Sequence, residues 1–221
     1  MAIVSSANFS EAVEADRLDA EFFDSDDLAL IARLKVEGGQ ALGVICDVLN
    51  GKTPEGYAPD GEIPIVRSGD LVAPLIYPGC SVDFLRAPRT SKMVFLKAGD
   101  VLISSIGMGS IGKISLVMDS GNFATVSEVT VLRSKGYASE VIFAYLTTKA
   151  GQRQIYRQIT GATGQQHLLK SKVATILVPP EPPKKVHDSI RESCKRAWEL
   201  EMEVKRQHAT THSTFANALG L

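Results

Sequence analysis

The sequence predicts an α+β (mixed α/β) protein: a globular domain with a β-rich core and flanking helices, followed by one long C-terminal helix. Three observations carry this. Residues 55–135 alternate short β-branched or apolar runs with turn-rich pieces such as "EGYAPDGE", "LKAGD" and "MDSGN". On either side, apolar residues shift to helical spacing. After "PPEPP", residues 179–183, an uninterrupted polar stretch carries only a thin apolar stripe.

The first segment, 1–40, is acidic and ends in a helix. From Met1 to Leu30 eight acids face Arg17 alone. Asp26 is positioned to cap the helix, Leu28, Leu30, Ile31 and Leu34 give it a partial apolar stripe, and Gly38-Gly39 stop it. The second segment, 41–180, is the globular domain. "LGVICDVLNGKTP" is a short apolar stretch running into a turn. "IPIV", "MVFL", "DVLISSI", "KISLVM" and "EVTVLR" read as strands. "ASEVIFAYLTTKAGQRQIYRQI" reads as helix with a break near Lys149–Gly151, and "VATILVPP" as a closing strand. Consecutive prolines enter neither helix nor central sheet, so "PPEPP" ends the globule. In the third segment, 181–221, a helix from Lys184 to about Gln207 has apolar or small residues at Val186, Ile190, Cys194, Ala197, Leu200 and Val204. Ile190, Ala197 and Val204 recur every seven residues, which suits a coiled-coil partner, although a helix laid on its own domain uses the same stripe.

Composition narrows the function. The chain has 221 residues, is 44% hydrophobic and 22% charged, and carries a formal net charge of −1. That is a globular balance, and no apolar run reaches the length of a membrane span. Cys46, Cys80 and Cys194 have no metal-like spacing and point to a reduced, cytoplasmic setting. The near-neutral total hides local positive stretches. Arg86–Lys113 holds five bases and one acid, and Arg133–Lys172 seven bases and one acid. Such a middle can face phosphates.

"SSIGMGSIGKIS" raises the question of a nucleotide. Gly107, Gly109 and Gly112 spell G-x-G-x-x-G, and Gly107, Gly112 and Lys113 fit most of a phosphate loop. Both motifs need a helix directly behind the glycines. The chain continues instead with "KISLVMDSGN", an alternating strand, and Ile114 stands where the phosphate loop needs Ser or Thr. The stretch reads as a β-hairpin with a bare tip carrying Met108 and Ser110, with Lys113 at its base. "ILVPPE" lacks the polar acceptor and aromatic ring of an amino-methyltransferase motif, and no metal site or nucleophile–base pair emerges. His208 and His212 lack the companion Glu of a zinc helix. Arg153 and Arg157 share one helix face, suited to successive phosphates or to solvent. Gln165, Gln166 and His167 sit in the polar loop "TGATGQQHLL", and glutamine can bond adenine bidentately.

These pieces together resemble the specificity subunits of type I restriction–modification systems, in a form with a single target recognition domain. The resemblance rests on "RLDAEFFD", "LGVICDVLNGKTP", "GEIPIVRSGDL", "LKAGDVLISSIGMGSIGKISLV" and "YLTTKAGQRQIYRQITGATGQQHLLKSKVATILVPPEPP", in that order. Two departures stand out: one unit is present where family members often carry two, and His187 lies near the place of the usual glutamine at the helix start. The resemblance implies a non-catalytic reader of double-stranded DNA without metal or cofactor. It would direct a methyltransferase (modification) subunit, with a restriction or translocase subunit as a further partner. A one-unit chain would pair with itself through Val186, Ile190, Ala197, Leu200 and Val204 and read a bipartite site. Lys52, Thr53, Arg67, Ser68, Arg89, Lys92, Met108, Lys113, Arg153, Arg157, Thr163, Gln165, Gln166 and His167 are the residues expected to face DNA. Gln165, Gln166 and Arg67 are the expected base readers and the lysines the phosphate contacts. The rival expectations are a coiled-coil scaffold whose globule binds protein, and a nucleotide-binding enzyme using Gly107–Lys113.

Overall fold

The computed structural model describes residues 6, 8–15, 17–77, 80, 84–107, 109–161 and 166–219. Its helices are α1 (Phe9–Ala15), α2 (Ser25–Val36), α3 (Leu42–Ile45), α4 (Ser139–Thr147), α5 (Lys149–Arg157), α6 (Lys170–Val173) and α7 (Lys184–Leu219). Its strands are β1 (Gln40–Ala41), β2 (Cys46–Asn50), β3 (Ile63–Val66), β4 (Leu75–Ile76), β5 (Leu85–Ala87), β6 (Val94–Phe95), β7 (Val101–Ser104), β8 (Ile114–Val117), β9 (Ala124–Thr125), β10 (Val129–Ser134) and β11 (Leu177–Val178). The α+β class expected from the sequence is the class observed.

The five-stranded sheet β2-β10-β7-β8-β4 forms the middle layer. Successive side chains of a strand point to opposite faces, and here both faces are apolar. Val101, Ile103, Ile114, Leu116 and Leu132 face α4, α5 and α6, where they meet Ile142, Leu146, Ile155 and Val173. Leu102, Val117, Val129 and Val131 face the second sheet, β5-β3-β9-β6, and pack on Ile63, Ile65, Ala87 and Ala124. All four residues of β7 are buried, and its first three, Val101, Leu102 and Ile103, form an unbroken apolar run that serves both faces. A two-stranded pair, β1 with β11, joins the start and the end of the globular part.

Helix α2 is capped by Asp24, not by the expected Asp26. The Asp24 carboxylate accepts from the backbone N–H of Asp26 (3.0 Å) and Asp27 (3.2 Å). Of its expected stripe only Leu34 is fully buried; Leu28 is exposed. Thr148 breaks the α4–α5 helical stretch, and its hydroxyl caps α5 by accepting from the Gly151 N–H at 3.1 Å.

Helix α7 is longer than expected. No Gly or Pro interrupts 184–219, and the helix continues for 36 residues, about 54 Å at 1.5 Å per residue. Ile190, Cys194 and Trp198 pack against the helical side of the core. Tyr77 donates its hydroxyl to Glu201 at 3.0 Å, its ring lies 6.1 Å from that of Trp198, and Lys205 stands 5.6 Å above it. Arg191 adds an ion pair with Glu140 at 3.4 Å. Ile190, placed by its spacing with the partner seam, therefore belongs to the domain contact. Val186, Ala197, Leu200 and Val204 are exposed. At 100° per residue the two stripes are centred about 80° apart on the helix, so α7 grips its own domain with one side and leaves an adjoining apolar line open.

Candidate nucleic-acid interface

The register of the central sheet brings distant pieces of sequence to one end. Val129 pairs with Ser104 and Thr130 with Asn50, so β2 ends, β7 ends and β10 begins on the same edge. Antiparallel β8 starts there too, with Ile114 opposite Ile103. The Ser115 hydroxyl donates to Ala73 O at 2.6 Å, drawing in the 3₁₀ turn Ser68–Asp70. The residues beyond these strand ends form a polar rim.

The glycine stretch is the β7–β8 hairpin, as expected. Its tip is folded on itself. Gly107 (φ 119°), Gly109 (φ 77°) and Gly112 (φ 82°) all occupy the left-handed half of backbone space, which excludes most other residues. The N–H groups of Ser110 and Ile111 donate to Gly107 O, that of Gly112 to Ser104 O, and that of Lys113 to Ser110 O. A phosphate loop needs such N–H groups free and a helix behind them. Here they are consumed, and β8 comes next. The tip is also no free-standing finger: Gln152 donates its side-chain amide to Gly112 O at 3.2 Å, and Leu168 N–H donates to Ser105 O at 2.9 Å.

His167 pairs in antiparallel fashion with both Thr160 and Ile106, so the loop after α5 is stitched to the hairpin. His167 and Gln166 are exposed beside the tip, as is the ring of Tyr156. Arg67 precedes the 3₁₀ turn. Its Nε and Nη2 donate to Asp70 at 3.1 and 3.0 Å, and its own N–H donates to the same carboxylate at 2.8 Å. This bonding outweighs partial burial and keeps the guanidinium charged. Ser68 lies next to Gly107. Lys113 is half-buried at the base of the hairpin.

Lys52 and Thr53 reach the rim because of Gly51. A Cβ there would stand 2.1 Å from Val126 O, so only glycine permits the approach that lets Lys52 N–H donate to Thr125 O at 2.9 Å. Thr53 Oγ1 then lies 2.7 Å from Ser127 Oγ and 3.3 Å from Glu128 Oε2. Lys52 is exposed. Tyr57 is exposed near Arg67, Glu128 and Asp70. Partial burial raises its hydroxyl pKa, Arg67 pulls it back, and the two carboxylates add to the rise. Spacing and motif reasoning passed over Tyr57, Glu128 and Tyr156, whose only signal was a polar or aromatic residue next to a turn.

Arg89, Arg153 and Arg157 lie elsewhere. Arg89 donates to Asn122 at 2.7 Å, stands 3.6 Å from Glu62 and covers the Phe95 ring, all at the opposite end of the second sheet. Lys92 is exposed ahead of β6, whose Val94 pairs with Thr125, the residue that accepts the Lys52 N–H, so it lies toward the rim's end of the second sheet. Met108, Thr163 and Gln165 fall outside the described residues. Arg153 and Arg157 do share a face, and that face is covered by the acidic segment. Arg153 Nη2 donates to Asp24 at 2.7 Å, Nε donates to Asp27, and Nη1 lies 3.6 Å from Asp26. Arg157 Nε donates to Phe22 O at 2.7 Å, with its guanidinium 3.6 Å above the Phe22 ring. Burial, with the like charge of Arg17 nearby, lowers the Arg157 pKa. Arg17 itself pairs with Asp19 (2.5 and 2.6 Å) and holds that carboxyl below its usual range. A cavity of about 770 Å³ lies between this corner and the loop after α5, lined by Arg17, Asp19, Tyr156, Arg157, Thr160 and Gln166. Among the described residues no His/Cys/Asp/Glu cluster could hold a metal ion, and no helix is long and apolar enough to cross a membrane.

A three-layer α+β globule with a polar rim at one sheet end and a single projecting helix is therefore the class of molecule the fold defines. Solved structures share it. The chain superposes on the type I restriction–modification S subunit from M. genitalium with a TM-score of 0.52 and 17% identity, over 73% of this chain and 38% of that one. A chain of a structure describing assembly and conformational transition of the type I R-M system gives 0.53 and 18%, over 95% and 53%. The HsdS subunit from Thermoanaerobacter tengcongensis gives 0.50 and 18%, over 90% and 49%. This chain thus spans about half or less of the length of these structures. No family model matches the sequence, and no curated protein does.

Proposed function

We propose that this chain is a non-catalytic, sequence-specific DNA-recognition unit of the type I specificity-subunit kind. One rim reads duplex DNA, and α7 organises partners that carry out the chemistry. The observation that carries the reading is the convergence of Lys52, Arg67, Ser68, Lys113, Gln166 and His167 at one sheet end, on a fold shared with S subunits. Cations for phosphates and fork-shaped or amide side chains for base edges are the two ingredients that sequence-specific binding needs. Arg153 and Arg157 are left out, because the acidic segment holds them.

The exposed line of α7 supports self-association. Val186, Ala197, Leu200, Val204 and Phe215 fall within about 60° of one another around the helix, and Phe215 is 66% exposed. Pairing two copies along this line buries it and gives a dimer with two rims, hence a bipartite, symmetric target. A methyltransferase subunit is the first hetero-partner of this assembly, and a restriction or translocase subunit a further one; both belong to the cytoplasm.

The test is selection from a randomised duplex pool by the full chain, followed by titration in salt. Enrichment of one bipartite motif, with a log–log salt slope of several units, supports the reading. Binding without sequence preference refutes it.

A further inference from the structure

We infer that Glu128 is a specificity-determining residue that accepts a hydrogen bond from the exocyclic amino group of a cytosine in the major groove. The inference rests on the DNA-recognition reading above and names one contact within it.

The placement comes first. Glu128 precedes β10, and its carbonyl accepts the Ser105 N–H at 2.8 Å, which ties it to the hairpin tip. Its carboxylate is held in one orientation. Oε2 lies 3.3 Å from Thr53 Oγ1 and 3.2 Å from Ser127 Oγ; one of these hydroxyls donates to it while the other donates to its neighbour across 2.7 Å, and Ser127 N–H donates to Thr53 Oγ1 at 3.2 Å. Among the described residues Oε1 accepts from nothing, and no cation pairs with the group. The side chain is half-buried, so the fixed oxygen stays open to a partner.

The charge makes this position informative. A carboxylate on a rim that meets phosphates opposes binding through its charge. It gains only where a donor faces it, so it discriminates between bases and does not add general affinity. In the major groove guanine presents two acceptors and thymine one, and both repel a carboxylate. Adenine pairs its amino donor with the N7 acceptor, which suits an amide. Cytosine alone presents a donor without an acceptor of its own. One free, oriented, anionic oxygen matches that edge.

The experiment compares sequence selection by the wild-type full chain, Glu128→Gln and Thr53→Val from the same randomised duplex pool. Wild type is expected to enrich a motif with a strongly preferred cytosine. In Glu128→Gln that preference should fall by about ten- to a hundredfold against the other bases, and duplexes of unrelated sequence should bind more tightly because a negative charge is gone. Thr53→Val keeps the carboxylate and loosens its orientation, so the same position should blur without changing identity. An unaltered cytosine preference in Glu128→Gln overturns this inference and leaves DNA recognition standing. A wild-type chain that enriches no motif overturns the DNA-recognition reading itself.

Discussion

Replacing Arg153 by Ala separates two roles that the sequence alone leaves open. In the structure the guanidinium is 33% exposed and meets Asp24, Asp26 and Asp27, of which Asp27 is 11% exposed. Removing the cation leaves the Asp27 carboxylate half-stranded next to two like charges. An exposed pair is worth about 0–1 kcal/mol, whereas breaking a buried one costs about 3–5 kcal/mol. This partly screened cluster falls between, at about 2 kcal/mol. For a chain of this size that is a drop of roughly 4–8 °C in melting temperature, read by calorimetry or circular dichroism. The N-terminal segment should also detach first, giving faster limited proteolysis near Phe22–Asp27. DNA binding should keep its salt slope, because Arg153 already neutralises carboxylates. An unchanged melting temperature together with a slope reduced by about one unit would refute the reasoning and return Arg153 to the phosphate-contacting set.

The other expectations concern separate parts of the molecule. Lys113→Ala should lower the salt slope by about one unit across all duplex sequences, measured by anisotropy titration. Leu200→Asp or Val204→Asp should convert a dimer to a monomer in light scattering while leaving the melting of the domain unchanged, since both side chains point away from it. Gly51→Ala should destabilise by more than about 2 kcal/mol, because the added methyl meets Val126 O and Thr125 backbone with no room to retreat. Tyr77, pushed up to about 12 by burial and by its bond to Glu201, holds its proton more tightly folded than unfolded. Its contribution to stability is therefore complete below about pH 10 and is lost as pH rises from there to 12. Tyr77→Phe should flatten that alkaline limb in thermal melts taken across the same range.

Strands and turns were legible where local chemistry decides them. β3 is the run "IPIV" itself, β7 and β8 lie inside the expected runs, β10 overruns its own by Ser134, and the α4–α5 break lies next to the expected site. The hairpin was legible because alternation resumes directly after Lys113. What escaped was partnership across the chain. Spacing shows that Arg153 and Arg157 share a face, but the carboxylates that hold Arg153 lie 126 and 129 positions away. Heptad spacing likewise found the open line of α7, yet the stripe gripping the domain runs through Cys194, Trp198 and Glu201, and Ile190 is drawn to it. Much of the rim was found as scattered polar residues; its assembly depends on sheet register, which a single sequence does not encode locally. Glu128 was missed for that reason: its meaning comes from Thr53, 75 residues earlier.

The inner strands β7 and β8 of the central sheet are buried along their whole length, which leaves them no residue to meet anything outside. Under the proposed reading, selectivity then sits at the strand termini, in the exposed side chains of the connecting stretches. On that reading, a change of target asks for new residues only in those exposed positions, while the buried strands and the long helix stay as they are.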